Sequence, residues 1–304
     1  FFCSPMFHGD GILATLISLI VRGELHLASR FSASTFWQDV ARDQSTMFYF
    51  VGATLSFLLR SEAQGTPMTA LRFTTGGGAP DVIARAFEAR FGIPVLEAYS
   101  QTECLSCCSN TLAARRSGTV GRPYPGIEVR IVDNLDQPVP VGEVGEIVVR
   151  PPRPWMCFTE YFGNAPATSL KMRNLLLHTG DLGSMDADGF IKFHGRLGHG
   201  LRRRGENLLP EQIELLVEQL PWVRKAAAVG LPSEHGDQDI LLLVNPSGAV
   251  PSRDDIATQI ISVLPRVMHP RFIELVPELP MTATNKLSRR DLPRSAGSAA
   301  IEIH

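Results

Sequence analysis

Leu71-Arg72-Phe73-Thr74-Thr75-Gly76-Gly77-Gly78-Ala79-Pro80-Asp81, followed by Ile83, Ala86, Phe87, Phe91 and then Gly92, is the stretch that decides the fold class. Its first five residues read as a strand. The three glycines open a turn in which backbone can approach a ligand, since no Cβ restricts it. Asp81 is placed to cap a helix, the apolar residues recur at helical spacing, and Gly92 suits the position just past a helix end. Strand, Gly-rich turn and helix, in that order, form the unit of an α/β sheet with a ligand loop at the strand end. Free N–H groups at the helix start favour an anion or a heterocycle. Taken alone, a tight turn with no ligand explains Gly76 to Pro80 equally well.

Working upstream, Met47 to Val51 is an apolar run consistent with a buried strand. Phe36, Val40 and Ala41 sit at helical spacing, Leu25 to Ala28 reads as a short strand, and Ile12 to Val21 as a buried helix ended by Gly23. Downstream, Ile93 to Leu96 is an apolar strand, and the polar residues after it are expected in a loop. Ile127 to Val132, Glu146 to Arg150 and Phe190 to His194 alternate with period two between turn formers, which predicts a small antiparallel β region. From about 197 a smaller unit follows. Pro210 suits a first helical position, with Ile213, Leu216, Val217 and Leu220 on one face. Ala226 to Gly230 and Ile240 to Val244 read as strands, Ile256, Ile260 and Ile261 as a helix ending before Pro265, and the tail beyond Leu292 as frayed.

Composition narrows the function classes. The 304 residues are 44 % hydrophobic and 20 % charged, an ordinary globular mix long enough for about two domains. Lys plus Arg is 29 and Asp plus Glu is 31, so the basic excess of a nucleic-acid binder is missing. Only four of the cations are lysines (Lys171, Lys192, Lys225, Lys286), which makes each one worth questioning. The five cysteines are uneven in spacing, and a chain of this size needs no disulfides, so the expected compartment is reducing and cytoplasmic. Cys104, Cys107 and Cys108 read as small buried residues, with a metal site as the lesser alternative. The run from Ile12 to Val21 is too short to span a bilayer, so no transmembrane segment is expected. The chain opens without Met on Phe1-Phe2-Cys3-Ser4-Pro5, already inside an apolar stretch, and its true start is expected upstream.

Three further constellations could carry chemistry. Glu97-Ala98-Tyr99-Ser100-Gln101-Thr102-Glu103 holds a flat ring, a hydroxyl and a carboxylate. Tyr99 could stack a base, Thr102 could bond a phosphate oxygen, and Glu103 could hold Mg²⁺. In His178-Thr179-Gly180-Asp181-Leu182, an Asp on a turn could accept two hydrogen bonds from a ribose diol, with Arg196 near the same sugar. Pro280 to Arg289 is a polar loop containing Lys286, able to bring a point charge to a developing negative centre. Each alone is more simply read as a solvated loop, turn or surface lysine.

Together and in this order, these motifs resemble the adenylate-forming superfamily of acyl-CoA synthetases, luciferases and peptide-synthetase adenylation domains. The resemblance runs from Pro5-Met6-Phe7-His8 to Lys286. It includes Gly121-Arg122-Pro123, Gly142-Glu143-Val144-Gly145-Glu146-Ile147, and Tyr161 with Ala167-Thr168. It implies part of a large α/β AMP-binding domain over 1–196 and a small, mobile α+β C-terminal domain over 197–304. It implies that a carboxylic acid attacks the α-phosphate of ATP to give acyl-AMP, and that coenzyme A then takes the acyl group. By resemblance, Gly78, Ala79, Pro80 and Tyr99 frame the adenine, Thr102 touches the α-phosphate, Glu103 binds Mg²⁺, and Asp181 and Arg196 hold the ribose. Lys286 bridges carboxylate and α-phosphate. Domain rotation then replaces it with the side carrying Arg204, Gly205 and Glu206.

Within the superfamily, Phe7-His8 stands where amino-acid-activating domains carry an Asp, and His8 is included among the candidate catalytic residues. That favours an acyl-CoA ligase acting on a small-molecule acid. Arg202 to Asn207, Phe31 to Ser34 and Trp37 resemble the carnitine/crotonobetaine branch. Several positions depart from the pattern. The phosphate loop expected upstream of Phe7-His8 is not in the sequence, so the chain as it stands is expected to handle ATP poorly. Gly198, His199 and Gly200 replace the usual hinge residues, Ser100 and Asn285 replace glycines, and Leu176-Leu177 replaces an aromatic pair. The alternative is a degenerate, non-catalytic relative that binds AMP or a partner.

Overall fold

The computed structural model describes residues 1–51, 53–61, 70–151, 153, 155–197, 200–203, 206–233, 238–282 and 287–303. It divides into two compact units, Phe1–His194 and Gly195–His304.

The first unit begins with α1 (Gly9–Val21) and α2 (Phe36–Arg42). β1 (Met47–Val51), α3 (Ala53–Arg60), β2 (Phe73–Gly77), α4 (Asp81–Phe91) and β3 (Val95–Gln101) then form two successive βαβ turns. β1, β2 and β3 pair in parallel. β4 (Cys104–Ser109) and β5 (Arg122–Pro123) extend the sheet antiparallel. Alternation on β1 sends Phe48 and Phe50 inward, where they meet Phe1, Phe36, Trp37, Phe87 and Phe91. The rings of Trp37 and Phe91 lie 4.6 Å apart. Such close aromatic contacts add to what the buried area contributes.

α4 spans the predicted residues, but its N-cap is Pro80, and Asp81 is the first helical residue, paired with Arg85 one turn on. Gly92 closes the helix at φ +68°, as its position suggested. Gly76 is required by packing within the sheet: a Cβ there would come within 1.9 Å of the Phe50 carbonyl oxygen on β1.

A second sheet has the order β10, β9, β7, β6, with β8 on the outer part of β9. Its strands are β6 (Glu128–Val132), β7 (Gly145–Arg150), β8 (Met172–Arg173), β9 (Leu176–Met185) and β10 (Ile191–Arg196); α5 (Ala165–Lys171) precedes β8. The alternating stretches therefore form the predicted antiparallel region.

The second unit opens with the hairpin β11 (Leu201–Arg203) and β12 (Glu206–Leu208), then α6 (Pro210–Val217). β13 (Val223–Pro232), β14 (Gln238–Pro246), α7 (Arg253–Val263), β15 (Phe272–Leu275) and β16 (Ile301–Glu302) complete it. The four strands form one sheet with β14 and β15 parallel, and its apolar face packs on Ile213, Val217, Ile256 and Ile260.

Four further expectations are corrected. Ile12 to Val21 is helical but not buried, with Leu19, Ile20 and Val21 each at least 66 % exposed; helical spacing could not show whether a partner covers that face. The helix closes at Arg22, in the left-handed conformation, rather than at Gly23. Leu25 to Ala28 contributes only an isolated bridge between Leu27 and Phe2. The tail is not frayed at its end, because Ile301 pairs with Ile273 and the Ile303 N–H donates to the Arg271 carbonyl at 2.8 Å. The overall class is the expected mixed α/β architecture, with a smaller C-terminal α/β region.

Candidate functional site

The polar motif expected in a loop is instead the end of β3. Glu97, Tyr99 and Gln101 share strand parity and therefore one side of the sheet. Only Thr102 and Glu103 lie in the turn to β4. Glu97 is 8 % exposed and its Oε1 accepts the Ala79 N–H at 2.9 Å, tying the Gly-rich turn to the neighbouring strand. Burial pushes the Glu97 carboxyl up to about 7, against the lowering effect of the Ala79 hydrogen bond. Gly78 takes φ +81° and turns the chain from β2 towards Pro80 and α4.

Asp181 comes to the same place from the second sheet. The Tyr99 hydroxyl donates to its Oδ2 at 2.6 Å, and Gln101 Nε2 donates to the same atom at 2.6 Å. Gln101 also reaches the Thr179 carbonyl, and Lys171 Nζ, at the end of α5, bonds both Gln101 Oε1 (3.1 Å) and that carbonyl (2.9 Å). Burial, then the neighbouring Asp181 charge, pushes the Tyr99 phenol well above its ordinary value, so it remains a donor. Its ring centroid is 6.1 Å from that of Phe193.

The expected turn around Asp181 is a bulge inside β9. Glu146 on β7 pairs with Leu182 and Val148 pairs with His178, so Thr179, Gly180 and Asp181 stand opposite the single residue Ile147. Extra residues in one strand bend it and re-aim its side chains. Gly180 takes φ +71° in this bulge.

Glu103 receives a hydrogen bond from the Tyr161 hydroxyl, and its carbonyl accepts the Phe158 N–H at 2.8 Å. Thr102 beside it is exposed. Among the described residues no group of three His, Cys, Asp or Glu is placed to hold a metal. One carboxylate nonetheless fits Mg²⁺, which keeps several waters and takes phosphate oxygens alongside one or two carboxylates. Cys104, Cys107 and Cys108 are buried and unbridged on β4, and burial raises the Cys108 thiol to about 12, which suppresses the reactive thiolate.

His8 caps α1, its Nδ1 3.3 Å from the Asp10 backbone nitrogen and 3.1 Å from the Asp10 carboxylate. Arg196 ends β10, exposed, on the second unit's side of the division. Lys286, Gly205, Gly198, His199 and Asn285 lie outside the described residues. Gln101 and Lys171 were missed as site residues. The parity of 97, 99 and 101, and the rarity of lysine, were the signals that could have found them.

The chain is similar to known proteins. The family model described as AMP-binding enzyme matches residues 1–162, and that for the AMP-binding enzyme C-terminal domain matches residues 212–286. The chain belongs to the AMP-binding enzyme family. It is 34 % identical over 297 residues to a sulfoacetate–CoA ligase of Cupriavidus necator, covering 95 % of this chain and 57 % of that protein. It is 30 % identical over 299 residues to an oxalate–CoA ligase of Arabidopsis thaliana, covering 94 % and 57 %. Among solved structures it is similar to o-succinylbenzoate CoA synthetase of Bacillus subtilis in complex with its acyl-adenylate intermediate. There the TM-score is 0.80 at 26 % identity, covering 97 % of this chain and 60 % of that one. The chain thus spans little more than half the length of the curated relatives named here.

Proposed function

We propose that the protein to which this chain belongs is an AMP-forming acid–CoA ligase. The observation that carries this reading is the Asp181 carboxylate, ejected from β9 by the bulge and held by Tyr99 and Gln101 at the end of β3. A carboxylate fixed on one oxygen by such donors can accept hydrogen bonds from both hydroxyls of a ribose. The Gly78-Ala79-Pro80 turn, tied by Ala79 to Glu97 on the same strand, would frame the adenine together with Tyr99. Thr102 would meet the α-phosphate, and Glu103, oriented by Tyr161, would hold Mg²⁺, which neutralises phosphate charge. Arg196 would support the ribose, and Phe7-His8 would border the acid.

In the first half-reaction a carboxylate oxygen attacks the α-phosphorus and pyrophosphate leaves, giving acyl-AMP. In the second, the coenzyme A thiolate attacks the acyl carbon and AMP leaves. Lys286 would supply positive charge as negative charge builds on the phosphoryl oxygens, where a fixed cation acts most strongly. The side carrying Gly205 would face coenzyme A in the second step. Relatives named for sulfoacetate and oxalate support a short acid bearing a second anionic group as the substrate class.

The test is AMP binding to this chain by calorimetry, with Asp181→Ala beside it. Loss of a hydrogen-bonding carboxylate costs about 1.5–3 kcal/mol, or about 10- to 100-fold in Kd. Equal AMP affinity in both proteins, or none in a cooperatively folded wild type, would overturn the ribose assignment. In the full-length protein, acid-dependent pyrophosphate release is then measured with sulfoacetate, oxalate, carnitine and a medium-chain fatty acid, with and without coenzyme A. Release with none of them would defeat the ligase reading, while AMP binding alone would support the non-catalytic alternative.

A further inference from the structure

The bulge that presents Asp181 removes backbone groups from the β7–β9 ladder, and buried polar groups need replacement partners. Two side chains provide them. The Thr179 hydroxyl donates to the Ile147 carbonyl at 2.6 Å and accepts the Asp181 N–H at 3.1 Å. Glu146 Oε1 accepts the Gly180 N–H at 2.9 Å, while its Oε2 lies 2.9 Å from His178 Nδ1. A carboxylate acceptor at that distance requires the imidazole proton to sit on Nδ1.

His178 is 3 % exposed and lies between two carboxylates. Its Nε2 is 3.7 Å from Asp136 Oδ2, beyond hydrogen-bond distance, and has no hydrogen-bond partner among the described residues. Arg173 approaches both Asp136 and Glu146 at 3.4 Å. Glu146 is thus fixed on one oxygen by His178 and grips the bulge with the other. Resting on the AMP-binding reading above, we propose that the His178–Glu146 pair is a positioning device for the nucleotide ribose, acting through the Gly180 N–H to aim Asp181.

The pair touches no nucleotide in this reading, so its effect should be confined to what Asp181 recognises. A ribose diol can be removed from the ligand without altering the base or phosphate. AMP and 2′,3′-dideoxy-AMP are therefore the two probes, titrated calorimetrically against the full 304-residue chain. The expected wild-type preference for AMP is about tenfold or more, the value of one hydrogen bond to a charged group. In Glu146→Ala, which removes the acceptor for Gly180, and in His178→Leu that preference should fall to about twofold or less, with the dideoxy-AMP affinity changed less than about twofold. His178→Gln keeps an N–H donor for Glu146 and should restore most of the preference.

If Glu146→Ala does not fold, as judged by loss of a cooperative melt, the two His178 variants carry the test. An unchanged AMP preference in His178→Leu overturns the proposal. So does equal weakening of both nucleotides, or failure of His178→Gln to recover, since those are the marks of general structural damage. A wild type that binds AMP without regard to the diol, or not at all, overturns the parent reading and this one with it. Wild-type preference retained in the variants overturns this one alone.

Discussion

Asp181 in the first unit and Glu214 in the second are both buried carboxylates, 7 % exposed each, yet the side chains seen donating hydrogen bonds to them differ in kind. Asp181 is held by a phenol and an amide, both neutral. Glu214 on α6 takes both terminal nitrogens of Arg289, at 3.0 and 2.9 Å, and the Ala228 N–H at 2.8 Å. The bidentate guanidinium neutralises Glu214 where it sits and fixes α6 against the chain that follows Leu287. The phenol and the amide orient the Asp181 carboxylate through one oxygen, Oδ2. One arrangement suits a structural brace and the other a ligand contact. The difference is legible in the partner's charge rather than in burial.

The largest expected effect breaks the brace. Arg289→Ala leaves Glu214 buried without its cation, and such a loss costs about 3–5 kcal/mol. Urea unfolding followed through Trp222, buried in the same unit, should show it. Adding Glu214→Gln should recover part of the loss, because the stranded charge is then gone. A loss under 1 kcal/mol would mean that the ion pair is not a brace.

Glu97 sharpens the comparison as a third buried carboxylate, whose Oε1 accepts the backbone N–H of Ala79. Its carboxyl is raised from 4.5 to about 7, chiefly by burial. A group whose folded value lies above its unfolded value favours the protonated folded state. That stability is fully present below about 4.5 and is lost as pH rises through about 7. The shift corresponds to about 3 kcal/mol at most. Glu97→Gln keeps an acceptor for Ala79 and cannot ionise. The difference in melting temperature between variant and wild type should therefore widen in the variant's favour from pH 4.5 to 7.5, and a constant difference would contradict the raised value.

How much of this was legible beforehand depended on how local the signal is. β1, α4, β6 and β7 follow from alternation or helical spacing with end signals, and the ordered motifs led to the family. What failed was set by distant partners. The strand β3 continues through Tyr99 and Gln101 because β4 pairs with it, although the residues themselves look like a polar loop. Asp181 was read as a turn residue because a bulge is defined by the opposite strand, about thirty residues away. Ile301 belongs to a sheet through Ile273, so its short apolar tail carried no visible period. The exposed face of α1 has the same origin, since spacing shows which side is apolar and not what covers it.

The smallest effect tests whether the neutral donors orient Asp181 or merely accompany it. Tyr99→Phe removes the 2.6 Å hydroxyl bond and keeps the ring beside Phe193. Gln101 still donates to the same oxygen, so the carboxylate is not left without a partner. The expected cost to AMP affinity is therefore about 1 kcal/mol, near fivefold in Kd, below that of deleting Asp181. Because the phenol carries no charge, the weakening should be the same at low and high salt, whereas loss of a charged partner would be screened. A loss as large as that of Asp181→Ala would show Tyr99 to be the principal nucleotide contact, with Asp181 serving to hold its hydroxyl, which reverses the roles assigned to the pair.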